Sequence, residues 1–300
     1  MNIDEIIAGP NPVAADRAPQ ALTPEAEAIY ATMMATLAKG QDIKPRVHRR
    51  IFAGTGIFAS AAAAVTLVAT SLLSGGASPS IAGAAELQNL ATQIQTTAVA
   101  PPTGDATLEI RTSVNPTGLS VSTTHLYADN GDYFVTPTES ELPAAVAAND
   151  NIGNGFSARE IQAAIDAVSG NVAQATQAMA DAAYGNGVAP APTNSAIWDN
   201  AVQALIAGAG VPDVRTGVLR ILATIPGIAI TNTSTNGLPT LTLTASALTA
   251  PSDHQETVTL DASTGVPVSF TAGVVGQAPF LSFTLQVSRV FMANIEAGKF

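Results

Sequence analysis

Hydrophobic and polar positions follow three different rules along this chain. From Ile51 to Leu73, apolar and small residues run for 23 positions without a charged side chain, and the uncharged stretch continues to Ala85. A helix of that length reaches about 34 Å, enough to cross a hydrocarbon core of about 30 Å. Ahead of it, Ile29, Met33 and Leu37 recur at every fourth position. They follow Thr23-Pro24-Glu25 (an N-cap, a first-turn proline and an acid), and Gly40 closes the run. That spacing predicts one short amphipathic helix, too small to build a core. Beyond the apolar stretch the period changes repeatedly between helix and strand.

The segment 75–83 is a Gly/Ser/Pro/Ala spacer. Leu87, Leu90, Ala91 and Ile94 then fall at helical spacing within Glu86–Thr97, and Pro101-Pro102 ends that helix. Strands are predicted at Thr107–Arg111, where Leu108 and Ile110 alternate with polar residues, and at Leu119–Tyr127. In the second, Leu119, Val121, Thr123, His125 and Tyr127 share a face. Asp129-Asn130-Gly131 turns the chain into a return strand, Asp132–Val135. Residues 136–156 read as a loop.

Helical signals occupy Ser157 to Tyr184. Ser157 with Glu160 three positions on has the form of a capping box, and Gly170-Asn171 breaks the block in two. A further helix, capped by Ser195, carries Ile197, Trp198, Val202 and Leu205. Another opens at Pro212-Asp213 and is stopped by Pro226-Gly227. Strict period-two alternation then takes over, from Ile228 through Asn236-Gly237 to Leu241 and Leu243, then Val258 and Leu260, Val266 to Phe270, and Leu281 to Val287. Short turns between such runs mean antiparallel strands with one buried face. Threonines rather than charges fill the alternate positions, which suits solvent or a shallow concave surface.

Charge fixes the orientation. Lys44, Arg46, Arg49 and Arg50 stand directly before the apolar stretch, whereas Ser74 to Ile110 contains no Lys or Arg. Basic residues resist translocation, so the N-terminus is expected inside and the bulk of the chain outside the plasma membrane. Two rival readings of the stretch exist. One is a cleaved signal peptide with Ala82-Gly83-Ala84 as its processing site, and the other is an Ala-rich helix buried in a core. The apolar run exceeds the usual signal core of about 7–15 residues, which favours a retained anchor. Residues 1–50 hold six basic and six acidic side chains, so the whole net charge of −11 lies in the remainder. A domain so acidic does not neutralise phosphates, which excludes non-specific nucleic-acid binding. The chain contains no cysteine, hence no disulfide framework, thiolate metal site or cysteine nucleophile.

The run VRTGVLRILATIPGIAI (Val214 to Ile230), followed by the Asn236-Gly237 hairpin and TVTLDASTGVPVSF (Thr257 to Phe270), resembles a bacterial family of single-pass membrane proteins. Members are often encoded beside extracytoplasmic-function sigma factors. The resemblance implies a short inner segment, a basic-flanked span and an outer domain similar to periplasmic lipoprotein carriers, with a curved antiparallel sheet wrapped around helices. It covers the layout of the whole chain and is sharpest over about 60 of the last 90 residues.

Chemistry-bearing motifs are sparse. His48 belongs to the basic cluster, His125 reads as a hydrogen-bonded core residue, and His254 lies in a polar Asp253-His254-Gln255-Glu256 turn expected to be solvated. No nucleophile elbow or zinc-protease motif occurs, and the glycine pairs follow no strand. No catalytic, metal or cofactor-binding residues are therefore assigned, and the chain is not expected to be an enzyme. The expected plan is α+β. It comprises a cytoplasmic segment (1–50), a transmembrane helix (51–74), a linker with a helix (75–100) and an extracytoplasmic domain (101–300).

Two functions fit this plan. One is a membrane-anchored sensor or regulator whose Ile29, Met33 and Leu37 face docks a cytoplasmic partner such as a sigma factor. The other is a tethered carrier of an envelope lipid or lipoprotein. Protease shaving of intact spheroplasts is expected to digest the chain beyond residue 75 while protecting residues 1–50. Recovery of the full-length chain from the soluble cytosolic fraction would refute the topology.

Overall fold

A computed structural model describes residues 81–97, 103–114, 119–153, 155–182, 193–245 and 253–300. The expected span at 51–74, its basic flank (Lys44, Arg46, Arg49, Arg50) and the docking face of Ile29, Met33 and Leu37 lie outside the described residues. Among the described residues, no helix is long and apolar enough to cross a membrane.

The described chain is α+β. Helix α1 (Ile81–Thr96) leads into β1 (Ala106–Val114), β2 (Ser120–Ala128) and β3 (Tyr133–Thr136). A 3-10 turn (Glu139–Glu141) and four helices follow: α2 (Leu142–Ala147), α3 (Gly155–Ser169), α4 (Val172–Asp181) and α5 (Asn194–Ala207). After α6 (Pro212–Leu222) come β4 (Ala229–Thr235), β5 (Leu238–Ala245), β6 (His254–Asp261), β7 (Pro267–Val274) and β8 (Leu281–Val290), then a final short helix, α7 (Met292–Glu296). All eight strands form one antiparallel sheet in the order β3-β2-β1-β8-β7-β6-β5-β4, so the first hairpin pairs with the last strand.

Register explains the core. Ile230, Leu243, Val258, Phe270 and Phe283 lie opposite one another in turn, making a single apolar row across β4 to β8. The helices α1 and α3 to α6 cover that face with Leu87, Met179, Trp198, Leu205, Leu219 and Leu222, all buried. The opposite face of the same strands carries hydroxyls that bond one another, as in Thr233–Thr242 at 2.8 Å and Thr242–Thr259 at 3.3 Å. A second, smaller core sits on that opposite face at the far end of the sheet. There Leu108, Leu126 and Phe134 pack under Leu142 and Val146 of α2 and Ile295 of α7.

Several local expectations change. Residues 136–156 are not all loop: Leu142 and Val146, one turn apart, bury themselves on the sheet and hold α2. The capping box at Ser157 does not form, because α3 already begins at Gly155 and Ser157 is buried inside it, accepting from Gln203 at 3.2 Å. The α5 cap is Thr193, whose side chain accepts from the Ala196 N–H, rather than Ser195. Strand β2 is buried on both faces in its second half, Leu126 under α2 and α7 and, on the other side, His125 and Tyr127 against Tyr133 and Arg111. The turns at Asn236-Gly237 and Asp129–Gly131 form as expected, with positive φ at Asn236 (53°), Gly237 (81°) and Gly131 (94°).

The helical layer depends on a close crossing of α3 and α6. A Cβ on Gly217 would stand 1.7 Å from the carbonyl oxygen of Ala164, so only glycine fits. Gly217→Ala is expected to cost about 3 kcal/mol or more by overpacking, lowering the melting temperature by about 10 °C. Differential scanning calorimetry of the purified chain checks this.

Candidate functional site

Where the apolar row ends at β8, the sheet surface facing the helices becomes polar. Glu109 on β1 pairs with Val287, and Arg111 with Leu285. Arg111 Nε donates to Glu109 Oε1 at 2.6 Å and its Nη2 to the Tyr127 hydroxyl at 2.7 Å, while its guanidinium lies 5.3 Å from the Phe283 ring centroid. Burial works against the charge of Arg111, yet Glu109 beside it holds the guanidinium above its ordinary pKa. Tyr127 and Tyr133 stack with centroids 4.6 Å apart. His125 sits between Thr123 Oγ1 at 3.0 Å and the Tyr133 hydroxyl at 2.8 Å. Burial, with help from Arg111, lowers its pKa to about 2 and keeps the ring neutral. His125 is therefore the hydrogen-bonded core histidine that the strand pattern predicts.

Beside this lattice the helices stand away from the sheet and leave a cleft of about 1050 Å³. Its walls are the end of α1 (Ile94, Gln95), one face of α3 (Ala158, Ile161, Ile165), the segment from Ala207 into the first turn of α6, and Val287 and Arg289 of β8. The turn after β2 closes one side with Asp129 and Gly131. Arg289 grips the Asp129 carboxylate through both terminal nitrogens, at 2.9 and 2.6 Å, and Nη2 also donates to the Gly104 carbonyl at 2.8 Å. Gly210 makes room for the stem of this arginine, since a Cβ there would lie 2.4 Å from Arg289 Cδ. Arg215, in the first turn of α6, is 9% exposed. Its Nε donates to the Thr264 carbonyl at 2.9 Å and its Nη1 to the Ala209 carbonyl. Burial lowers its pKa to about 10, with Asp261 pulling the other way.

A third group lies on the same face of the sheet, at Glu256. Trp198 Nε1 donates to Glu256 Oε2 at 2.8 Å, and His254 Nε2 lies 3.7 Å from Oε1. His254 is not in a solvated turn: it opens β6, is 7% exposed and packs against Phe280 with ring centroids 5.3 Å apart. The turn expectation fails because pairing with Val274 draws residues 254–257 into the ladder. Asp199 is buried beside this group, and burial, reinforced by Glu256, raises its pKa to about 8. Glu160 is likewise raised to about 8 by burial, with Arg159 opposing. Among the described residues, no three His, Asp or Glu side chains are placed to hold a metal ion.

The cleft arginines were not singled out by sequence, although a signal was present. Arg215 stands on the apolar stripe of its own helix, with Val218, Leu219 and Leu222 at the following i+3, i+4 and i+7 positions. It also places a cation at a helix N-terminus, where the macrodipole disfavours one. Neither a family model, nor a curated protein, nor a solved structure matches the chain.

The raised acids set a pH dependence. A carboxyl that keeps its proton in the folded state but loses it on unfolding makes stability fall as pH rises, here from about 4 to about 8. Asp199→Asn is expected to flatten that decline by up to about 1.4 kcal/mol per pH unit and to raise stability at pH 8. Urea midpoints measured between pH 5 and 9 check this.

Proposed function

We propose that the chain is a membrane-anchored extracytoplasmic binding protein whose outer domain takes an amphiphilic envelope ligand into the cleft between its helices and its sheet. The cleft carries this reading. At about 1050 Å³ it stands at the upper end of small-molecule sites, which span about 300–1,000 Å³. Ile94, Ile161, Ile165 and Val287 give it an apolar wall, and two arginines give it polar points of attachment. The eight-stranded antiparallel sheet with a helical layer over one face is in keeping with the likeness to lipoprotein carriers. The uncharged stretch at 51–74 and the basic cluster before it supply the tether in the plasma membrane.

A second reading makes the same protein a sensor. It is favoured by the Ile29, Met33 and Leu37 face, which lies just ahead of the basic cluster, and by the resemblance to proteins encoded beside sigma factors. Binding in the outer domain would then change what the inner segment holds.

One purification tests both. The full-length chain is taken from native membranes into amphipols, washed free of bulk lipid, and examined by native mass spectrometry. The expected result is a bound acyl-chain species at near one equivalent, lost on Ile165→Asp substitution in the cleft wall. Absence of any bound lipid would overturn the carrier reading. Co-elution of an extracytoplasmic-function sigma factor, abolished by Met33→Asp, is expected for the sensor reading, and its absence removes that reading alone.

A further inference from the structure

The cations of the outer domain are not equivalent. Arg111 is neutralised by Glu109, and Arg289 by Asp129. Arg215 has no ion-pair partner among the described residues, although it is nine-tenths buried. Asp261, the acid whose field reaches it, makes no ion pair with it and is held through Oδ1 by four donors of its own turn: the backbone N–H groups and hydroxyls of Ser263 and Thr264, at 2.6 to 2.9 Å. The other acids on the cleft are Asp129, held by Arg289, and Asp213, which is exposed to solvent. A buried guanidinium without a counter-ion is costly, and its place in the first turn of α6 adds repulsion from the helix dipole.

Two of its five N–H donors reach backbone carbonyls. The remaining three, including both on Nη2, form the edge that grips a carboxylate or phosphate. Arg215 lines the cleft, so its spare donors and its unpaired charge point to an anionic group that enters it.

We propose that the cleft binds an anionic amphiphile, with Arg215 receiving the carboxylate or phosphate of its headgroup while Ile94, Ile161, Ile165 and Val287 cover its chain. The inference rests on the reading of the cleft as a lipid site and adds the sign of the ligand's charge and the residue that recognises it. A neutral lipid would leave Arg215 buried and unmatched; a small free anion would leave the apolar wall uncovered.

The test uses the full-length chain in phosphatidylcholine nanodiscs and two pairs of photoactivatable probes that differ only in headgroup charge. One pair is a diazirine fatty acid and its alcohol, the other a diazirine phosphatidylglycerol and its phosphatidylcholine. Crosslinked peptides are mapped by mass spectrometry. In at least one pair the acidic probe is expected to label peptides from α3 and from 207–216 in preference to its neutral counterpart. Arg215→Gln is expected to cut acidic labelling about tenfold or more, as loss of a hydrogen bond to a charged group implies, and to leave neutral labelling unchanged. Ala158→Glu, at an exposed position of α3 on the cleft wall, should weaken acidic labelling in the same way without touching the core, so the test holds even if Arg215→Gln fails to fold.

Equal labelling by both members of each pair, or equal loss of both in the variants, would overturn the assignment while leaving the cleft a lipid site. Protection of the cleft by low-millimolar inorganic phosphate alone would show a free-anion site and would also overturn it. If no probe reaches the cleft, the reading of the cleft as a lipid site falls as well.

Discussion

A single apolar row, Ile230–Leu243–Val258–Phe270–Phe283, determines what the α+β domain can be. Those side chains point to one face because strand side chains alternate, and that face must be covered. Five helices cover it. The row stops at β8, where the neighbouring positions on β1 are Glu109 and Arg111 rather than aliphatic residues. The helical layer follows the apolar surface and no further, and the cleft opens beside the point where the surface changes character. The cavity is thus a consequence of where hydrophobic pairing runs out along the sheet.

The polar end of the sheet shows two ways of keeping arginines inside a domain. Arg111 and Arg289 are matched by carboxylates and by neutral oxygens, so their desolvation is offset in place. Among the described residues Arg215 is matched by two carbonyls, an arrangement that satisfies hydrogen-bond geometry but not charge. A domain whose net charge is strongly negative would be expected to supply a counter-ion to every buried cation. This one is left without an ion pair among the described residues, on the wall of the cleft.

The buried acids tell a related story. Asp199 and Glu160 sit in surroundings that favour the neutral carboxylic acid, and each leaves one oxygen without a partner. Such groups weaken the fold as the medium becomes alkaline, whereas the neutral His125 weakens it on acidification. The domain is thereby most stable in a band of pH rather than at one extreme.

Much of this was legible along the chain, because it depends on short-range physics. Helix α1 with its Leu87, Leu90, Ala91 and Ile94 stripe, the opening of α6 at Pro212, the two positive-φ hairpin turns, the alternating strands of the C-terminal part and the buried His125 all follow from local periodicity and turn chemistry. The uncharged stretch and its basic flank are likewise a property of composition. What required the tertiary structure was every pairing between distant segments. Nothing local puts β1 beside β8, with Ala106 opposite Val290, because loop closure over that separation leaves no trace in either strand's own pattern. That pairing joins the two halves of the sheet, buries β2 on both faces, draws the Leu142–Ala147 helix onto the second core and carries Arg289 to Asp129. The role of Arg215 was hidden for the same reason. Its sequence shows a charge on an apolar stripe, but only the packing of α6 against the 261–265 turn decides that it meets the Thr264 carbonyl rather than a carboxylate.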